Sequence, residues 1–470
     1  MQSYITLALR VFIIMYALLH FFTYFYENEF LLLALGVAGL GIFICAVLYY
    51  TPGKIKMPLT LFLIGAMLII FSEGSSFAGL HGGLIQMRDM IGLIVVIPLI
   101  GWVLRGEAYM EAIMQAGHRF LDTSRKFYAG MMSLTQVIAY FLMFGAIPMM
   151  LQFENWLLEK EKGEAWEHLK GTAVLRGFSL SVLWVVSIPS FAFVVEVMDA
   201  PLGISIFQGM AVSIFGVILA IIFSTFEEKR YQVDLTKGLQ REIGEVLKDS
   251  AGTEEVNRLV KEFVILFITL FGTIFLLNGL ADMPLLVLIP LVVLVWIIAY
   301  YLIKRRIPTL MLEARRHYED GLAPQAYQLC IMLGAGTMIF GLNQTVFPDK
   351  MVNGLYAFQQ AVPFMNVLHI LPFMVIILGF FALGPLTVMV LVGGILESIH
   401  LPYPPELIVL AITTGSAISI LLSPLIMPLI ILSGANGLSG LKNGIIFNWK
   451  YALALYVGVQ IYIQARVAFG

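Results

Sequence analysis

Apolar runs close to twenty residues long recur from one end of this chain to the other, and no other feature constrains its fold as strongly. Coiled as a helix, a run of that length matches the hydrocarbon thickness of a bilayer. Such runs fall near 5–26, 29–50, 58–72, 85–104, 172–195, 205–226, 263–279, 284–303, 326–345, 406–433 and 445–465. Composition agrees: 60% of the 470 residues are hydrophobic and 12% are charged, against about a quarter charged in a soluble domain. The mean hydropathy is +0.92. A transmembrane barrel would show short alternating segments, and the sequence has none. The expected fold is therefore an all-α polytopic membrane protein with about 11 transmembrane helices. The first run, MQSYITLALRVFIIMYALLHFF, lacks a small-residue cleavage site and leads straight into a second apolar segment, so it reads as a retained span.

Two further apolar segments, 128–152 and 370–398, are settled by the distribution of positive charge. Lys and Arg in short loops mark the cytoplasmic side. TPGKIKM holds two, 105–127 and 153–176 hold four each, 227–262 holds seven and KRRIPTLMLEARRHYEDG holds five. All of these lie on one side only if 128–152 enters and leaves from the cytoplasm. By the same parity 370–398 enters and leaves from outside, as a second re-entrant hairpin. The N-terminus is then cytoplasmic, the C-terminus external, and the chain a multi-pass protein of the plasma (inner) membrane. Re-entrant backbone survives at membrane depth only where protein or a cavity surrounds it.

The hairpins also mark an internal repeat. Each has a Gly/Pro turn near its middle, MFGAIPMML (143–151) and ALGPLTVMV (382–390). Gly145 precedes Gly177 by 32 residues, and Gly384 precedes Gly415 by 31. At those glycines begin GFSLSVLWVVSIP and GSAISILLSPLIMP, two serine-rich spans interrupted by proline. A Gly-containing break follows each, DAPLGIS or SGANGLSG, and then one closing span. An amphipathic segment precedes each hairpin, RGEAYMEAIMQAGHRFLDTSRKF or FPDKMVNGLYAFQQAVPFMNVLHI. The expected organisation is an extra span at 1–28, a first repeat at 29–226, a cytoplasmic connector at 227–262 and a second repeat at 263–470. An odd number of crossings per repeat makes the two inverted, a common plan in secondary transporters.

Eleven spans, two opposed hairpins and the broken spans after them resemble the ion transporter superfamily, and most nearly its divalent anion/sodium symporter branch. The resemblance covers nearly the whole chain. It implies substrate and sodium sites at the hairpin tips and helix breaks, a homodimer, and a transport domain that moves like an elevator against a scaffold. The Ser-Asn-Thr hairpin signatures of that branch are absent: the tips here read Phe-Gly-Ala-Ile-Pro and Leu-Gly-Pro-Leu-Thr.

A proline inside a helix removes a donor and frees a carbonyl one turn earlier, and in hydrocarbon such groups need a partner. Hydroxyls, ions or a solute can supply it. The candidate site is therefore built from Gly145, Pro148, Gly384, Pro385 and Thr387 at the tips. From the breaks come Ser179, Ser181, Ser187, Thr413, Thr414, Ser416, Ser419 and Ser423. The two glycines would let the backbone turn sharply and approach a ligand. Gly, Ser and Thr also serve close helix packing; recurrence of the pattern in both repeats is what favours a site.

Charged residues add little near the midplane. Arg176 reads as an anchor at the end of a span, with an anion contact as the alternative, and Trp184 as a packing aromatic. Glu196, Asp199, Glu397, His400, Glu73, Arg88 and Asp89 fall near outer ends. Cys45 and Cys330 lie in apolar runs, which suggests neither a disulfide nor a metal site. No phosphate-binding Gly-rich motif, HExxH or paired-Asp motif occurs, which argues against ATP-driven transport and against an enzyme. The expected function is secondary active transport (symport) of a small anionic organic solute, coupled to Na+ or H+. The expected partners are the lipid bilayer, that solute and a second copy of the chain; no nucleic acid and no cofactor beyond a coupling ion are implied. A lipid or polyprenyl-phosphate flippase on the same fold is the alternative, and a membrane-embedded lipid-modifying enzyme a weaker one.

Overall fold

The computed structural model describes residues 2–72, 76–117, 123–158, 163–231, 236–240, 253–281, 283–362, 365–381, 383–399 and 401–469. Among them the chain is entirely helical, with no strand. In chain order the first helices are α1 (Gln2–Phe25), α2 (Glu29–Tyr49), α3 (Pro52–Phe71), α4 (Ser76–Ile85), α5 (Arg88–Val96), α6 (Ile100–Arg105) and α7 (Tyr109–Gly117). There follow α8 (Ser124–Leu142), α9 (Ala146–Leu157), α10 (Glu164–Ser181), α11 (Pro189–Val197) and α12 (Leu202–Tyr231). The second part holds α13 (Thr253–Leu280), α14 (Leu285–Ile303), α15 (Ile307–Arg316), α16 (Leu322–Asn343) and α17 (Phe347–Ala361). It closes with α18 (Val367–Phe380), α19 (Pro385–Leu396), α20 (Pro405–Leu422), α21 (Met427–Asn436) and α22 (Phe447–Phe469).

Among the described residues eleven helical stretches are long and apolar enough to cross a membrane, so this is a multi-pass helical membrane protein. Exposed side chains such as Phe207, Ile214 and Ile218 on α12, or Val264, Ile268 and Leu276 on α13, give these helices apolar outer faces suited to lipid. The number matches the expectation, but one member differs. The stretch Ser124–Asn155 is long and apolar enough to count, whereas the expected span 172–195 is divided between α10 and α11. Length and composition take no account of a change in chain direction. Within 124–155 the helix stops at Met143, whose backbone lies at φ 49°, ψ −124°. After a one-turn 3-10 segment α9 begins, and it packs back against α8.

The chain divides into two compact units, and each takes segments from both expected repeats. One comprises Met1–Trp102, Leu276–Met365 and Val390–Pro402. Its most extensive pairing is α3 with α16, and α14 packs on α5. Gly65 permits the first: a Cβ there would lie 2.5 Å from the Thr337 carbonyl carbon and the Met338 nitrogen. Tyr16 donates to the Leu84 carbonyl at 3.1 Å, tying α1 to α4.

The other unit comprises Val103–Phe275, Asn366–Met389 and Tyr403–Gly470. At its centre α10 packs on α20. Every residue of α10 from His168 to Ser181, and every residue of α20 from Glu406 to Leu421, is buried. A membrane helix enclosed on all sides can carry polar residues that lipid would not tolerate. Around this pair stand α8, α9, α11 and α12 from the expected first repeat, and α18, α21 and α22 from the expected second. Aromatic rings join α13 to α8: Phe141 meets Phe263 at 5.1 Å between centroids, and Tyr140 meets Phe267 at 5.0 Å.

The amphipathic segments before the two expected hairpins contain α7 and α17. The connector 227–262 lies partly outside the described residues; what is described is the end of α12, a turn of helix at 236–240 and the start of α13.

Candidate functional site

All thirteen residues expected to form the site fall in the second unit. The two breaks in its central helices are real. Between α10 and α11 the chain leaves helix at 182–188, and between α20 and α21 at 423–426. Pro189 opens α11 and Pro428 lies in the first turn of α21, positions where a missing donor breaks no intrahelical bond. Neither helix start carries a side-chain cap: the flanking residues are Ile188 and Ile426. Uncapped first-turn N–H groups leave partial positive charge at each break.

The breaks are built to one plan. Gly177 lies against α8, where a Cβ would come within 2.8 Å of the Met132 carbonyl oxygen. Gly415 lies against α18, where a Cβ would come within 2.7 Å of the Pro372 oxygen. Further along, the Ser187 hydroxyl donates to the Tyr140 carbonyl at the end of α8. Its counterpart Ser423 donates to the Gly379 carbonyl at the end of α18, at 2.9 Å. Each break is thus pinned by a serine to the helix that its glycine also packs against, α8 for the first and α18 for the second. The turn after α8 also meets α10 through Phe144, whose ring lies 5.6 Å from that of Phe178.

The remaining hydroxyls divide by partner. Ser179 donates to the Arg176 carbonyl at 2.8 Å, Ser181 to Phe178 at 2.6 Å and Thr413 to Val409 at 2.8 Å. These are back-bonds along the helix, a structural use of serine and threonine. Thr414 and Ser416 differ: both are fully buried, and neither hydroxyl has a partner. Ser419 lies beside Gly379. Thr387 and Pro385 are buried at the start of α19, in the part belonging to this unit.

One expectation for the tip glycines needs correction. The sharp turn at the first tip is made by Met143 with its positive φ, while Gly145 has ordinary helical angles of −63° and −19°. Protein backbone crowds neither glycine. A Cβ on Gly384 would meet nothing within 4 Å, and one on Gly145 only Leu142 Cβ at 3.4 Å. Both therefore leave space in front of the backbone.

Three groups in this unit escaped the sequence reading. Gln136 on α8 accepts from Trp184 Nε1 at 2.7 Å and from Ser213 on α12 at 2.6 Å, fixing the first break from two sides. Ser205 and Gln208, also on α12, are buried with unpartnered side-chain atoms. Their helix packs on α20, and Gly209 abuts the Leu183 carbonyl in the first break. The signal for them was a polar residue inside an apolar run, as in SIFQGMAV.

The third group centres on Arg176, expected as an interfacial anchor. It is 0% exposed. Its Nε donates to Asn448 Oδ1 at 2.8 Å, and its Nη2 to Glu227 Oε1 and to the Phe447 carbonyl, both at 3.2 Å. The guanidinium lies 4.6 Å from the centre of the Tyr451 ring. Glu227 also faces His168 Nδ1 at 3.6 Å. Asn448 in turn donates to the Asn443 carbonyl at 2.7 Å, and Asn443 and Asn436 exchange hydrogen bonds at 2.9 and 3.0 Å. A paired, hydrogen-bonded arginine of this kind holds helices in register. Trp184 is buried, as expected of a packing aromatic. Glu397 and Asp199 are exposed, and Glu196, Arg88 and Asp89 are half-buried. Glu73 and His400 lie outside the described residues.

Among the described residues no group of three His, Cys, Asp or Glu side chains is placed to hold a metal ion. Neither a scan of protein-family models nor a search of curated proteins returns a match to this chain.

Proposed function

We propose that the chain is a secondary active transporter for a small anionic organic solute, working by elevator-type alternating access and coupled to Na+ or H+. The observation that carries this reading is the pair of helix breaks at the centre of the second unit. The first is buried throughout and the second at Ser423 and Ile426, each is pinned by a serine to its neighbouring arm, and the helix entering the second carries two unpartnered hydroxyls, Thr414 and Ser416. Burying such groups without partners costs free energy that a bound solute or ion would offset. Uncapped helix starts favour an anion, and the helix-end carbonyls favour a cation beside it. Discontinuous helices arranged in this way are the recurring site of secondary transporters.

The test is a thermal-shift screen of the purified protein against organic acids, with and without sodium and at several pH values. An acid that stabilises the wild type, and not Thr414→Val or Ser416→Ala, is the expected result. A phospholipid or polyprenyl-phosphate headgroup stabilising it instead would favour the flippase alternative, and turnover of a lipid bond would replace both with an enzyme.

A further inference from the structure

Helix α9, the outgoing arm of the first hairpin, carries an acid that the solute site does not use. Glu154 is 0% exposed, and neither carboxyl oxygen has a hydrogen-bond partner. Carboxylates are almost never fully buried unless paired, because desolvating the charge is costly. The elements packed on α9 are α8, α10, α21 and the 3-10 turn at Met143–Gly145. The turn and α21 carry no ionisable residue. From α8 the buried ionisable neighbour is Tyr128, with Arg125 and Lys126 at that helix's exposed start. From α10, Lys170 and Glu167 act on Glu154 electrostatically. The Lys170 ammonium is already engaged, at 2.7 Å from Glu167 and 3.1 Å from Asn155 Oδ1. Asn155 is exposed and Glu167 partly so, which brings a polar path from solvent to the residue next to Glu154.

A lone carboxyl in such surroundings suits a proton rather than a metal ion. Hard cations need several oxygen ligands, whereas a proton needs one lone pair. Taking it up removes the charge that makes burial expensive. We propose that Glu154 is a proton-binding site, and that its proton is the coupling ion; the second clause rests on the transport reading above. One O–H bond forms as the carboxylate takes a proton from water on one side of the membrane, and the same bond breaks as the proton returns to water on the other. No electrons move. The arm bearing Glu154 also packs on α21, the half-helix that follows the second break, so its charge state bears on the site from a second direction.

Infrared difference spectra of the purified protein in lipid nanodiscs, titrated with acid and base, test the first clause without any solute. A carboxylic C=O band that disappears as pH rises, and is missing from a folded Glu154→Gln variant, is expected; identical spectra for the two proteins overturn the proposal. Proteoliposomes supplied with an organic-acid mixture test the second. An inward proton gradient should drive accumulation in the wild type, and Glu154→Gln should exchange solute but lose accumulation. Accumulation driven by sodium alone, or retained by Glu154→Gln, overturns the coupling. A titrating band in a wild type that moves no solute leaves the proton site standing and removes the transport reading.

Discussion

Arg176 occupies a place where a charge survives only with partners. It has them on three sides, in Glu227, Asn448 and the Phe447 carbonyl. Removing one member of a buried, hydrogen-bonded ion pair typically costs about 3 kcal/mol or more. Arg176→Gln should therefore lower the thermal unfolding midpoint strongly, and Arg176→Lys should not restore it, because an ammonium cannot reproduce the planar fork. Thr414 and Ser416 predict the opposite pattern. Their hydroxyls bond nothing, so Thr414→Val and Ser416→Ala should change stability by no more than about 1 kcal/mol. Loss of ligand-induced stabilisation in the same variants marks these hydroxyls as binding groups. A large fall in midpoint would instead mark them as structural.

The two central helices and their arms form the next scale. If the breaks share one plan, equivalent substitutions should have equivalent effects. Gly177→Ala and Gly415→Ala each push a methyl group into the backbone of the facing arm, and overpacking of this kind costs about 1–3 kcal/mol. Both should lower the unfolding midpoint to a similar degree, whereas Gly384→Ala, with open space before it, should not. A fall for only one of the first two would break the equivalence. These elements were also where the sequence was most readable. Pro189 and the recurring serines announced the breaks, because a proline's missing donor acts locally wherever it stands. That Met143 rather than Gly145 takes the turn's positive φ was hidden, since nothing in a methionine side chain encodes it. The partners of Arg176 were hidden for another reason: Asn448 is 272 residues away in sequence, and only the approach of α10 to α22 makes them neighbours. Glu154 read as one more charge in the mixed stretch 153–176, because burial depends on what packs over it.

For the whole molecule, positive charge predicts which ends share a side of the membrane. Single cysteines at the exposed positions Lys54, Arg125 and Asn155, in a background lacking Cys45 and Cys330, should all react from the cytoplasm. A cysteine at Lys350 should react only from outside. Reaction of the Arg125 and Asn155 positions from opposite sides would make 124–155 a full crossing and remove the first re-entrant hairpin. The central claim, that this chain moves a solute through the breaks of its second unit, meets its most direct test in reconstituted uptake. Proteoliposomes bearing the wild type, offered an organic-acid mixture under an imposed sodium or proton gradient, should accumulate at least one acid. Gly384→Trp should abolish that accumulation at an unchanged unfolding midpoint. Accumulation at the wild-type rate by Gly384→Trp, or none by the wild type under either gradient, would contradict the account.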